Sequence, residues 1–313
     1  MRSLKFTLRP LSAFGTPLAG DTFFGHLCWT LAMRRGEPGL TALLDGYTGG
    51  RPYAVLSDAF PSGVLPKPTL PDAVAGLGET KASERKALRR RAWLPAGGAT
   101  LPLAQWLATA VDLSSGMTTV LTQNTINRLT NTTGRDAFAP RQVEQLAFAV
   151  DITLDLYAVH DDARLSGDDL CSALQDMGAG GFGRDASAGL GKFEIVGVEE
   201  SALTPLEPYR VAMALAPCAF DPRQVDADHT YWLPLTRFGR HGNVAALGGA
   251  GGPFKRPLMM ARTGAVIACR AASRAPFHGS GLGGSGRPLS GVIPATVHQG
   301  YAPVVPLNLE QQP

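Results

Sequence analysis

Residues 178 to 193 constrain this chain more than any other stretch. They read Gly178-Ala179-Gly180-Gly181-Phe182-Gly183-Arg184-Asp185-Ala186-Ser187-Ala188-Gly189-Leu190-Gly191-Lys192-Phe193, with six glycines between 178 and 191. So few side chains let the backbone turn at positive φ and approach a partner closely. Gly180, Gly181, Gly183 and Gly189 supply that freedom, while Ser187, Arg184 and Lys192 suit phosphates and Phe182 suits a base. Successive exposed backbone N–H groups form a concave anion site, to which the two cations add charge. The plain alternative is a long surface connection.

The flanks sharpen the reading. Ser166 to Met177 predicts a short helix, with Ser166 as N-cap and Leu170, Ala173, Leu174 and Met177 at helical spacing. Lys192 to Val198 predicts a strand. Nucleotide-binding fingerprints run strand, glycine loop, helix, the opposite order, and no G-x-x-x-x-G-K-[ST] occurs. Rossmann and P-loop readings are thereby disfavoured.

The chain has 313 residues, room for one large domain or two ordinary ones. Its net charge is only +3, so any polyanion site must be a local concentration of cations. Cys28, Cys171, Cys218 and Cys269 lie far apart without a C-x-x-C, which argues against zinc or a disulfide framework and for reduced thiols in a cytoplasmic protein. Lys5 and Arg9 break any apolar leader, and no run of about 18 apolar residues exists to span a membrane.

Along the chain, Leu4 to Arg9 predicts a strand, and Asp21, as N-cap, a helix to about Arg35. Tyr53 to Leu56 reads as a strand, followed by a proline-rich extended segment. Glu79 to Trp93 predicts a basic helix, and Gln123 to Arg135 a polar surface or a hairpin tip. Leu146 to Tyr157 alternates as one strand. Together with the glycine loop these make a β-α-β-β-α-β unit with a large insertion. A second module begins near Tyr209, with strands at 210–217 and 231–235 and a hairpin over 258–270 turning at Thr263-Gly264. His241 to Gly252 and Gly279 to Pro288 are further glycine-rich segments.

Several segments together resemble the RAMP proteins of CRISPR effector complexes. They are Gly20-Asp21-Thr22-Phe23-Phe24-Gly25-His26-Leu27-Cys28-Trp29, Ser57-Asp58-Ala59-Phe60-Pro61 with Leu65-Pro66-Lys67-Pro68, and Asn124-Thr125-Ile126-Asn127-Arg128-Leu129-Thr130. The glycine loop, Lys255-Arg256-Pro257 with Gly264, and Val297-His298-Gln299-Gly300-Tyr301 complete the series. Within that superfamily the chain is most similar to the crRNA 5′-tag-binding, end-capping subunits of type III-A (Csm) complexes. The last glycine cluster is richer than that pattern.

The resemblance implies an α+β fold of two ferredoxin-like (RRM-like) modules with a thumb-like insertion in the first. On this reading residues 1–203 form the first module, with the insertion at about 58–140, and residues 204–313 the second. It implies a non-catalytic subunit that holds the repeat-derived tag of crRNA. Its partners would be a Cas10-type large subunit, a RAMP backbone subunit and, through the assembled complex, target RNA; no cofactor or metal is implied. An unpaired strand is bound by splaying its bases, with amides near phosphates and flat groups near bases. Arg128 and Asn127 suit base edges, and Asn124, Thr130, His26, Ser57, Phe60, Lys255 and Arg256 are carried over as RNA-facing. The alternatives are a metal-independent RAMP endoribonuclease using His26 as general acid or base, or the equivalent subunit of another type III complex. The remaining histidines are scattered without metal spacing, and Asp161, Asp162, Asp168 and Asp169 read as caps and solvated charges.

Overall fold

A computed structural model describes residues 1–75, 87, 90–113, 116–134, 138–242 and 253–308. Most of the basic helix expected over 79–93, Arg135, and most of the glycine segment 241–252 lie outside the described residues.

The chain opens with β1 (Arg2–Pro10), α1 (Gly20–Leu44) and β2 (Ala54–Pro61). A long excursion follows: β3 (Val64–Pro66), β4 (Trp93–Pro95), α2 (Leu103–Ala108), β5 (Gly116–Gln123) and β6 (Arg141–Phe148). The chain then returns through β7 (Leu154–His160), α3 (Gly167–Gly180) and β8 (Phe193–Glu200). β2, β7, β1 and β8 form one antiparallel sheet in that order. Leu4, Phe6 and Leu8 alternate into the core, where they meet Leu27 and Leu31 of α1 and Leu170 and Leu174 of α3. β7 is buried on both faces, because Tyr157 packs backwards into a second cluster with Met213, Leu215 and Val305.

The predicted end of the first helix near Arg35 coincides with a break at Gly36, whose φ of 71° interrupts α1 before Pro38 restarts it. The exposed carbonyls at the end of α1 are capped from outside. The Arg164 guanidinium donates to the carbonyls of Leu43 and Asp45, placing a cation at the negative end of the helix. Ser166 caps α3 as predicted, its Oγ accepting the Asp169 N–H at 3.1 Å. Ser166→Ala should lower stability by about 1 kcal/mol in a denaturant melt.

The single strand expected over 146–157 is two strands. The alternation runs through a turn at Ala149–Thr153 that leaves Val150 89% exposed. β5 and β6 pair over eight residues as a hairpin arm, tied near its root to the segment that follows β1 by the Phe14–Leu146 bridge. At about 3.4 Å per residue the arm is roughly 27 Å long.

The second half comprises β9 (Tyr209–Ala214), β10 (Pro234–Arg237), β11 (Leu258–Ala261), β12 (Val266–Ser273), β13 (Phe277–Gly283) and β14 (Val297–Pro306). Its four-stranded sheet has the order β12-β9-β14-β13. Among the described residues no α-helix follows Gly180, so this half departs from the β-α-β-β-α-β pattern expected for it. The expected 258–270 hairpin is not one either: β11 pairs with β10 and β12 with β9, the chain switching sheets at Thr263–Gly264. Gly264 has φ +88°, and an added Cβ would lie 2.9 Å from the Lys67 carbonyl oxygen. This turn therefore sits directly on the proline-rich segment.

The second glycine cluster is also resolved as structure. Much of it forms edge strand β13. A Cβ on Gly279 would lie 2.2 Å from the Gly300 oxygen, and one on Gly281 2.6 Å from the Tyr47 oxygen. These glycines admit the protein's own backbone.

Candidate nucleic-acid interface

The glycine loop closes α3 and folds back on itself. Gly181 (φ 95°) ends the helix, its N–H donating to the Met177 carbonyl. Gly191 (φ 73°) runs against Phe182, so that an added Cβ would lie 2.0 Å from the Phe182 oxygen. The amides are consumed internally: Phe182 N–H donates to Gly191 O, Gly191 to Ala13 O, Leu190 to Asp185 O and Gly189 to Ala186 O. Side chains take three more, with Thr16 Oγ1 accepting from Arg184, Ser12 Oγ from Lys192 and His26 Nε2 from Gly183. The expected row of free amides is thus corrected. Only the N–H groups of Asp185, Ala186 and Ser187 lack a partner among the described residues of the loop.

Phe182 is corrected too. It is fully buried, 4.4 Å from the Phe23 ring centroid and 4.9 Å from that of His26, so its ring fills core and has no face for a base. His26 braces the loop with the nitrogen that accepts from Gly183 at 3.1 Å. Burial holds its imidazole below its ordinary pKa, which favours this neutral acceptor.

What the loop presents outward are Gly180, Arg184, Ser187, Gly189 and Lys192, all exposed. An added Cβ on Gly180 or Gly189 would meet nothing within 4 Å, so a partner could approach both. Arg184 donates from Nη2 to the Glu144 carbonyl at 2.8 Å, docking the loop to β6 of the arm. The arm tip carries the second group. Asn124, Arg128 and Thr130 are exposed there. Asn127 shapes the tip, its Oδ1 accepting the Leu129 N–H and its own N–H donating to Thr132 O. Three strand residues, about 10 Å, separate Glu144 from Arg141 at the tip end, so loop and tip lie along one arm rather than in one pocket. Leu129 is 97% exposed beside them, with Ile126, Val120 and Met117 also bare.

The other carried-over residues divide. Ser57 and Phe60 are buried and are corrected. The register of β2 on β7 shifts between Leu56 and Ala59, and Ser57 Oγ fills the gap by accepting the Tyr157 N–H at 2.8 Å. Phe60 packs into the second cluster. Arg256 is exposed, while Lys255 is half-buried; burial lowers its pKa, with Cys28 and Asp21 opposing.

The motif residues that look most functional form the seam between the halves. Asp21, predicted as an N-cap, follows the actual cap Ala19 and is buried. Its carboxylate accepts from Arg237 Nε at 2.7 Å and Nη2 at 2.8 Å. His298 Nε2 lies 3.2 Å away, within ion-pair distance but off the hydrogen-bonding direction. Burial would push the Asp21 carboxyl up; His298 and Arg237 more than reverse this and hold it below its ordinary pKa. Gln299 mimics a strand, donating to Leu56 O and accepting Leu56 N–H. Tyr301 OH donates to Tyr47 O at 2.6 Å.

Sequence reasoning missed Asp58 as chemistry, although it stands within a quoted motif. It lines a cleft of about 400 Å³ at the root of the arm, walled by Trp93, Phe60 and Phe148. The N–H of Gly20 donates to its Oδ1 at 2.8 Å and Thr263 Oγ1 to its Oδ2 at 2.6 Å.

With this geometry in view, the chain can be set beside known proteins. No protein-family model matches it, and no curated protein matches its sequence. Solved structures do match end to end. A Csm1–Csm4 cassette in complex with cA4 aligns at TM-score 0.62 and 16% identity, covering 99% of each chain. The same cassette with AMPPNP aligns at 0.59 and 17%, covering 99% of this chain and 100% of the other. The Csm3–Csm4 subcomplex of the type III-A CRISPR-Cas interference complex aligns at 0.57 and 11%, covering 98% and 100%. The chain shares its fold with chains of these CRISPR-Cas structures. Csm4 is the subunit these assemblies have in common, and the likeness is one of fold.

Proposed function

We propose that this chain is a non-catalytic, RNA-binding end subunit of a type III-A CRISPR (Csm) effector complex. It grips the repeat-derived 5′ tag of crRNA and joins a Cas10-type large subunit to the RAMP backbone subunits; target RNA is met through the assembled complex. The observation that carries this is the full-length fold likeness to chains crystallised as Csm1–Csm4 and Csm3–Csm4 assemblies. The strand order β2-β7-β1-β8, antiparallel with α1 and α3 on one face, supports a ferredoxin-like module over residues 1–203. On this reading the insertion at about 58–140 holds the outgoing strand and tip of the thumb-like arm, whose return strand β6 follows it, and residues 204–313 form the second module.

The RNA path runs along the outward cations. Arg184 and Lys192 sit where backbone can approach Gly180 and Gly189, and Arg128 with Asn124 and Thr130 crowns the arm. The bare Leu129, Ile126 and Met117 suit a partner subunit rather than solvent. No helix among the described residues is long and apolar enough to cross a membrane, and the proposed setting is the cytoplasm. The engagement of His26 Nε2 with Gly183 favours a bracing role over catalysis.

Binding of a tag-bearing single-stranded RNA should fall with rising salt. Arg184→Ala or Arg128→Ala should each reduce the slope of log affinity against log salt by about 0.7, one phosphate's worth. Unchanged affinity and slope in both variants would remove loop and tip from the interface. Cleavage of a repeat-containing RNA by the pure chain, abolished by His26→Ala, would establish the nuclease reading instead.

A further inference from the structure

We propose that the cleft at the root of the arm is a pocket for one unpaired nucleobase bearing an exocyclic amino group, read by the carboxylate of Asp58. This rests on the RNA-binding reading above and names a ligand for a cavity that reading leaves unused.

Shape and wall chemistry come first. The cleft holds about 400 Å³, within the range of small-ligand sites of about 300–1,000 Å³. Its walls are aromatic and aliphatic: Trp93 and Phe148 are half-buried, Phe60 is buried, and Leu146 and Leu154 fill between. Flat, weakly polar rings suit such walls, since every base has a π-face to stack. Among the described side chains that line it, only Asp58, Thr263 and the Trp93 indole can hydrogen-bond.

The polar floor then selects. The Thr263 hydroxyl is directed at Asp58 Oδ2 and the Gly20 N–H at Oδ1. Each carboxylate oxygen keeps a further lone pair, so an ionised Asp58 offers acceptors only. Such a floor repels phosphates and carboxylates and takes N–H donors. The amino groups of cytosine, adenine and guanine supply them, as when Asp or Glu accepts from cytosine N4; uracil has no amino group.

Position is over-determined. Asp58 lies at the register shift of β2, its own N–H donates to Leu215 O, and Ala59 N–H donates to Leu18 O. An asparagine could make the same two bonds, accepting from Gly20 and donating to Thr263. Structure alone therefore does not require a charge here, and the charge is held at a cost. Burial pushes the Asp58 carboxyl up to about 7, with Asp21 adding and Thr263, the Gly20 N–H and Arg237 opposing. His298 reaches the neighbourhood only through Asp21. The cleft also adjoins the proposed RNA path: Leu146 is two residues along β6 from Glu144, whose carbonyl holds Arg184.

The test uses the full chain and short uridine oligoribonucleotides carrying one central A, C, G or U, with binding followed by intrinsic tryptophan fluorescence, its Trp93 share assigned with Trp93→Phe, and by anisotropy. The wild type should prefer at least one amino-bearing base over uracil by roughly tenfold above about pH 8, and less below about pH 6, as Asp58 protonates. Asp58→Asn should abolish the preference and keep the salt slope; Ala59→Phe, which fills the cleft, should do the same. Salt-sensitive but base-blind binding by the wild type overturns the pocket alone. So does a preference that survives both variants, or an Asp58→Asn defect confined to association with another Csm protein. Loss of all salt-sensitive RNA binding in the wild type overturns the RNA reading as well.

Discussion

Asp21→Ala should cost about 3–5 kcal/mol of stability, because it leaves the Arg237 guanidinium in the seam without its bidentate partner. The expectation follows from the asymmetry of buried pairs: making one gains little, while breaking one strands a desolvated charge. Urea melts at neutral pH should show a lower midpoint. The double variant Asp21→Leu/Arg237→Leu should recover much of the loss, since it removes both charges together. The pH dependence has a definite sign. Asp21 is held below its ordinary pKa, so its contribution is present above about pH 4, the unfolded value, and disappears as pH falls through the folded one. The gap between wild type and Asp21→Ala should therefore close in acid and stay open at neutral pH. A gap that widened below about pH 4 would contradict the pairing.

That seam explains which parts of the chain were legible from sequence. Local signals held where local chemistry decides. Ser166 caps its helix, α1 breaks beside Arg35, and Leu4, Phe6 and Leu8 alternate into the core. Signals failed where the answer lay in a distant segment. Nothing near Asp21 announces Arg237, 216 residues away; an acid at a helix start looks like a cap either way. Alternation across 146–157 cannot reveal a turn, because period two continues through it. The glycines misled most instructively. Positive φ and missing Cβ atoms permit close approach by any backbone, RNA or protein, and at Gly191, Gly279 and Gly281 the visitor is the chain itself. Gly180 and Gly189 remain open, and only the fold separates the two classes. Asp58 was hidden for the opposite reason: a lone acid in a motif carries no spacing pattern, and only the cleft around it gives it meaning.

Phe182→Ala should cost about 3–5 kcal/mol, on a par with the loss of Asp21, and should take RNA binding down with it. The ring is fully buried against Phe23, Phe14 and His26, so its removal opens a cavity directly beneath the loop that displays Arg184. Gly191→Ala should behave alike, since φ is +73° and the new Cβ would lie 2.0 Å from a backbone oxygen that cannot yield cheaply. Arg184→Ala provides the contrast: its side chain is half-exposed, so stability should change by no more than about 0.5 kcal/mol while salt-sensitive binding weakens. The decisive comparison is Phe182→Leu, which keeps most of the apolar volume and discards the aromatic face. If Phe182 is packing, this variant should fold less tightly yet bind RNA nearly as well as the wild type once folded. A folded Phe182→Leu that loses roughly tenfold in affinity, the scale of one stacked base, would mean that the ring turns outward when RNA arrives and that the loop described here is its unbound form.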